Sequence, residues 1–165
     1  MIRAADIASA LGLEPHPEGG FFRETHRARE LVMTPRGPRA ASSSILFLVT
    51  AGSPSRFHRL VNDEIWLYHG GSRLELVTLL PDGRAESVML AGAGLLVRDE
   101  AVTPQAIVPA GAWQAARVVP GEGVDWTLVS CVVTPGFDFE DFELGDGAAL
   151  VGAYPEQAGL ITALT

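Results

Sequence analysis

Nine short runs rich in valine, isoleucine, leucine, phenylalanine and tryptophan, separated by turn residues, constrain this chain more than any other feature of its sequence. They span residues 21–26, 42–50, 56–60, 64–69, 74–80, 84–90, 103–108, 113–118 and 124–133. Runs of this length between turn signals predict strands rather than long amphipathic helices. Pro81-Asp82-Gly83 reads as a tight hairpin turn, and Pro109-Ala110-Gly111 and Pro120-Gly121-Glu122-Gly123 punctuate other runs. So many short strands need their edges closed, which predicts an all-β sandwich or barrel.

The ends of the chain carry a different pattern. Residues 2–11 have helical spacing and stop at Gly12, a C-terminal capping residue, so a short leading helix is expected. Residues 155–164 predict a closing helix with Pro155 at its first position. Residues 28–39, with Pro35 and Pro38, have no apolar period and read as a mobile loop, a lid over a pocket. Asp138, Glu140, Asp141 and Glu143 alternate with Phe137, Phe139, Phe142 and Leu144, which reads as a half-buried edge strand rather than a metal site.

Composition excludes several function classes. A chain of 165 residues with 47% hydrophobic and 19% charged content is expected to form a single domain, residues 1–165, with a full core. Its longest apolar run, residues 45–49, is far below the roughly 20 residues of a membrane span, and no signal-like segment opens the chain, so a soluble cytoplasmic protein without a membrane partner is expected. The net charge of −8 and the scattered positions of the 12 basic residues argue against nucleic acid as a partner. All 12 are arginine, and without lysine the chain has neither a Schiff-base amine nor a phosphate-loop lysine. The lone Cys131, in an apolar strand-like run, has no internal disulfide partner and reads as an inert core thiol.

The chemistry concentrates in residues 52–71, where Gly52, His58, Glu64 and Gly71 recur at pocket-motif spacing. Strand alternation places Glu64, Trp66 and Tyr68 on one face and Ile65, Leu67 and His69 on the other. An inward Glu64 near His58 makes an acid/base pair, because burial raises a carboxyl pKa while a neighbouring imidazole lowers it. The plainer alternative is that His58 and Glu64 only satisfy each other. With Trp66 and Gln114, the pair offers a proton carrier, a carboxylate, a stacking surface and a two-way hydrogen bonder, which suits a sugar- or nucleotide-like ring.

The spacing of Gly52, His58, Glu64 and Gly71 resembles the first motif of the cupin superfamily, with Leu60 where that motif has a second histidine. The second cupin motif is similar to Pro109–Gln114, with Gln114 replacing its histidine. The segments HPEGGFFRET (16–25), FHRLVNDEIW (57–66), VPAGAWQ (108–114) and PGFDFEDFEL (135–144) occur in this order and together resemble the cupin group labelled family five. The resemblance covers residues 5–164. It implies a double-stranded β-helix, a jelly-roll barrel with short N- and C-terminal helices, assembled as a homodimer around a polar and aromatic cavity.

A weaker resemblance concerns Gly20-Phe21-Phe22-Arg23-Glu24, which is similar to a segment of the dTDP-4-dehydrorhamnose epimerase barrels. It implies His58 as a general base α to a carbonyl, no catalytic metal, and Arg23 or Arg56 on a phosphate. The expected catalytic residues are therefore His58 and Glu64. The expected ligand-binding residues are Phe22, Arg23, Glu24, Arg56, Trp66, Tyr68 and Gln114, with no metal and no cofactor. Three functions stay open: a metal-independent small-molecule pocket with isomerase or epimerase chemistry, a weakly metal-dependent oxygenase or isomerase using His58, Glu64 and Gln114, and a non-catalytic storage or interaction barrel.

Overall fold

The computed structural model describes residues 2–96, 101–119 and 123–165. Helix α1 (Ala4–Leu11) ends at Gly12 in the left-handed conformation, as the sequence predicts. The strands β1 (Glu14–Pro15), β2 (Phe21–Arg27), β3 (Leu31–Thr34), β4 (Gly37–Ala40), β5 (Ser43–Thr50), β6 (Ser55–Leu60), β7 (Asp63–Gly71), β8 (Leu74–Leu79) and β9 (Ala85–Leu90) follow. After the short helix α2 (Ala93–Leu96) come β10 (Val102–Thr103), β11 (Gln105–Val108), β12 (Trp113–Val118), β13 (Trp126–Thr134) and β14 (Phe142–Leu144). Helices α3 (Gly147–Ala153) and α4 (Ala158–Ala163) close the chain. No helix among the described residues is long and apolar enough to cross a membrane.

The strands form two six-stranded sheets in the order β1-β2-β5-β13-β7-β11 and β10-β9-β8-β12-β6-β14, the two halves of a jelly roll. Pairing is antiparallel throughout, except for β9 and β10. The expected run 103–108 is split by Pro104, and its halves lie in different sheets. Residues 138–144 are likewise divided: a 3-10 turn over Phe139–Asp141 precedes β14, which is the edge strand. Residues 155–164 begin as a 3-10 turn, Pro155–Gln157, and continue as α4. The turn expected at residues 120–123 lies outside the described residues apart from Gly123.

Residues 28–39 correct the sequence reading. They contain most of a β-hairpin, β3 paired with β4, instead of an irregular lid. Leu31, Val32 and Met33 point to solvent, which is why no apolar period marks the ribbon. The hairpin is pinned from its far strand, where Arg39 donates to both carboxylate oxygens of Asp141, and from its turn, where Arg36 Nε donates at 2.7 Å to one of them.

Alternation along the strands sorts two cores. Between the sheets lie Phe47, Val49, Trp66, Leu74, Leu76, Leu90, Val118 and Val129. Phe57, Val77, Leu79 and Ala115 point the other way, and Leu150, Ile161 and Leu164 of the C-terminal segment cover them. At about 2 kcal/mol for each fully buried large apolar side chain, this second cluster explains why two short helices stay docked. The first cluster fills only part of the barrel interior, and the remaining space is the cavity.

Candidate functional site

The unfilled end of the barrel encloses a cavity of about 240 Å³. Its walls are Phe22, Glu24 and Arg27 of β2, Ser43, Ile45 and Phe47 of β5, and Cys131 and Val133 of β13. The segment 137–139 supplies Phe137, Asp138 and Phe139 at the rim, and His58, Leu60, Glu64, His16 and Glu18 complete the lining.

Two irregularities in the strands set the directions of these side chains. A register shift in β2 between Glu24 and His26 puts Glu24 and Arg27 on the same face, where regular alternation would oppose them. Arg27 donates to both oxygens of Glu24 and to the Phe137 carbonyl, tying the strand to the aromatic rim. In β6 a second shift, between the partners of Gln114 and Ala116, lets Ser55 and His58 both reach Glu18.

Glu18 is brought to the floor by the turn before β2. The turn is closed by hydrogen bonds from Gly19 N to His16 O and from His16 N to Gly20 O, at 3.0 and 3.1 Å. Both glycines have positive φ, +109° at Gly19 and +66° at Gly20, and the first of these is open to glycine alone. Arg56 N donates to the Glu18 carbonyl, and its guanidinium donates to the carbonyls of Pro17 and Glu18.

On this floor four titratable groups meet. Glu18 Oε2 lies 3.3 Å from His16 Nδ1 and 3.4 Å from His58 Nε2, while Ser55 donates to Oε1 at 2.7 Å. The His58 Nδ1–H donates to the Arg56 carbonyl at 2.8 Å, which fixes the tautomer of the neutral ring. The Gln114 amide donates to Glu64, and the Gln114 carbonyl accepts from Trp66 Nε1–H at 3.0 Å. His16 stands among phenylalanines, with the Phe22 ring edge-on at 4.6 Å and Phe139 stacked at 6.3 Å.

Burial dominates the electrostatics. It pushes the Glu18 carboxyl up to about 8, against the pull of Ser55 and Arg56, and the Glu64 carboxyl up to about 7, against His58. It pushes His16 down to about 4 and lowers His58, so both imidazoles are neutral at neutral pH. The Cys131 thiol is raised by burial and by the carboxyls of Glu64 and Glu18, and it stays protonated.

Of the residues expected from sequence, the structure brings Phe22, Glu24, His58 and Glu64 to the cavity. Gln114 and Trp66 sit behind Glu64 as its support, outside the lining. Arg23 is exposed and alternates away from Phe22 and Glu24. Arg56 is spent on the backbone of residues 17 and 18, and the Tyr68 hydroxyl donates to the Gly71 carbonyl. Sequence reasoning missed His16, Glu18, Arg27 and the rim phenylalanines, and it placed Cys131 in a closed core when the thiol borders the cavity. The available signal was the pairing of a histidine and a glutamate with two glycines in HPEGG, a turn that costs stability unless its side chains are needed.

The residues do not fit the metal that the cupin motifs imply. Leu60, at the second histidine position, offers only carbon, and the Gln114 carbonyl is already taken by Trp66. Among the described residues, no three His, Cys, Asp or Glu side chains are grouped to hold a metal ion.

The Gln114 bridge has a measurable worth. Gln114→Ala leaves the Trp66 N–H and one Glu64 oxygen without their buried partner and should cost about 2 kcal/mol of stability. Urea denaturation at constant pH checks this, and an unchanged midpoint would mean that water replaces the amide.

Comparison with known proteins places the chain. The family described as the cupin superfamily (DUF985) matches residues 5–145. The uncharacterized protein YML079W of Saccharomyces cerevisiae is 34% identical over 139 residues, 76% of this chain and 67% of that one. A hypothetical protein from Leishmania major superposes with a TM-score of 0.90 at 34% identity, covering 99% of each chain. A Shewanella oneidensis protein gives 0.88 at 35% identity, covering 100% of this chain and 98% of that one. Oxalate decarboxylase from Bacillus subtilis, at 12% identity and a TM-score of 0.57 over 92% of this chain and 36% of its own, shares the fold alone.

Proposed function

This chain belongs to the DUF985 family of the cupin superfamily, and we propose that its cavity binds one sugar- or nucleobase-sized ring and moves a proton on it, as an isomerase or epimerase does. The observation that carries this reading is the cavity itself, where phenylalanine walls meet a floor of His16, Glu18, His58 and Glu64. Four titratable groups held away from water cost stability, and carboxyls shifted toward neutral pH are suited to general acid–base work. The volume, about 240 Å³, lies near the lower end of the roughly 300–1,000 Å³ range of small-molecule pockets, which suits a single substituted ring. Phe22, Phe137 and Phe139 would face such a ring while the floor reads its polar edge.

Native mass spectrometry of protein purified directly from its host tests the proposal. A co-purifying ring compound, retained by the unaltered protein and lost in His58→Ala and Glu64→Gln, is the expected result. An empty cavity, or a stoichiometric metal with no organic ligand, would end this reading. The same spectrum gives the assembly mass. A homodimer is part of the proposal, because Leu31, Val32 and Met33 present apolar surface that a second copy would cover.

A further inference from the structure

Each carboxyl of the floor accepts one side-chain donor, Gln114 for Glu64 and Ser55 for Glu18, and the two differ at their remaining contacts. Glu64 Oε2 receives the Gln114 amide N–H. Donors favour the ionised carboxylate. Glu18 Oε2 instead faces two nitrogens that carry no hydrogen. The His58 Nδ1 hydrogen is committed to the Arg56 carbonyl, which leaves Nε2 bare in the neutral ring. His16 Nδ1 accepts the Glu18 backbone N–H at 3.3 Å, so it too is bare and the His16 hydrogen sits on Nε2. An ionised Glu18 would therefore set three electron-rich atoms against one another at 3.3 and 3.4 Å.

We propose that the His16, Glu18 and His58 triangle holds one shared proton, so that Glu18 is the carboxylic acid of this cavity and Glu64 is its base. For its catalytic consequence this inference rests on the function proposed above. Glu64 would take a proton from a carbon beside a carbonyl, and that C–H electron pair becomes the C=C bond of an enol. The carbonyl π pair meanwhile takes the Glu18 proton at oxygen. In a hydroxy-carbonyl ring the protonated Glu64 then returns its proton to the former carbonyl carbon, the C=C pair forms that C–H bond, and the neighbouring hydroxyl gives its proton to Glu18 as its O–H pair becomes the new C=O, with no oxidant or reductant. His58 Nε2 accepts the Glu18 proton, and His16 Nδ1, which carries no hydrogen, keeps a second electron-rich atom beside the carboxyl. The other charged and polar groups facing the triangle include Glu64, which acts on both His58 and Glu18, Ser55, which donates to Glu18, and Arg56, bound to the backbone below it. A metal ion in the triangle would need the His16 Nδ1 lone pair that the Glu18 N–H already occupies.

Infrared spectroscopy of the ligand-free protein at neutral pH tests the position of the proton. Glu64, pushed up to about 7, adds a smaller share at this pH, so the carbonyl stretch of a protonated carboxyl should lose its larger part in Glu18→Gln and its smaller part in Glu64→Gln. Nitrogen-15 spectra of the unaltered protein need no substitution and should show His58 with hydrogen on Nδ1 and His16 with hydrogen on Nε2. A band that survives Glu18→Gln and vanishes in Glu64→Gln would overturn the assignment. The opposite tautomer on either ring, or one metal ion per chain by elemental analysis, would overturn it as well. If the band and tautomers are as expected and no ring compound is ever captured, the shared proton stands and the isomerase reading falls.

Discussion

Replacing Gly19 by alanine is expected to cost about 3 kcal/mol or more and to dismantle the floor of the cavity. A Cβ at this position would lie 2.0 Å from the Pro54 carbonyl oxygen, a backbone atom that has no rotamer by which to retreat. The φ of +109° adds strain that only glycine escapes. The turn that Gly19 closes also carries His16 and Glu18, so displacement moves both from His58. Gly52→Ala is the matched control. Its added carbon meets nothing within 4 Å, and its stability should stay within about 0.5 kcal/mol of the parent. Urea denaturation of both variants decides the matter, and equal midpoints would refute the backbone argument.

The second large effect is a loss of stability as the solution turns alkaline. Glu18 and Glu64 are raised from 4.5 to about 8 and about 7, so their contribution is complete below pH 4.5 and is lost as pH rises to those values. His16 is lowered from 6.5 to about 4, and His58 is lowered as well, so both histidines weaken the fold as pH falls below 6.5. Between pH 4.5 and 6.5 the two pairs pull in opposite directions. Above 6.5 only the carboxyls change, Glu64 up to pH 7 and Glu18 up to pH 8. At about 1.4 kcal/mol per pH unit for each, stability should fall by about 3 kcal/mol between pH 6.5 and 8. Glu18→Gln should remove most of that slope. A flat profile in the unaltered protein over this range would show that the two carboxyls are already ionised.

Much of the barrel was legible because strand, turn and burial patterns are local. The runs at 74–80 and 84–90 flank a Pro81-Asp82-Gly83 turn, and β8 and β9 pair across it. The hairpin of β3 and β4 escaped because its apolar residues face solvent and its hold on the barrel comes from Asp141, about a hundred residues further on. The site divides along the same line. His58, Glu64 and Gln114 stand at motif positions, so spacing found them. His16 and Glu18 join them only when the turn before β2 folds onto β6, a contact between segments about 40 residues apart that no periodicity records. Arg23 was a different matter. The resemblance nominated it together with Phe22 and Glu24, but alternation along β2 separates it from both, and that alternation was there to be read.

The aromatic rim is fastened at several points: Arg27 holds the Phe137 carbonyl, Ser43 accepts the Phe137 N–H, and Asp141 is clamped by Arg36 and Arg39. A mouth fastened this way is held before anything enters it, so a guest of the proposed kind would pay little conformational entropy to order it. Apolar guests entering such preformed hollows often bind with favourable enthalpy at room temperature, and burial of their faces leaves a negative heat-capacity change. The clamps on a short stretch of rim would thereby set the calorimetric character of the binding proposed for this barrel.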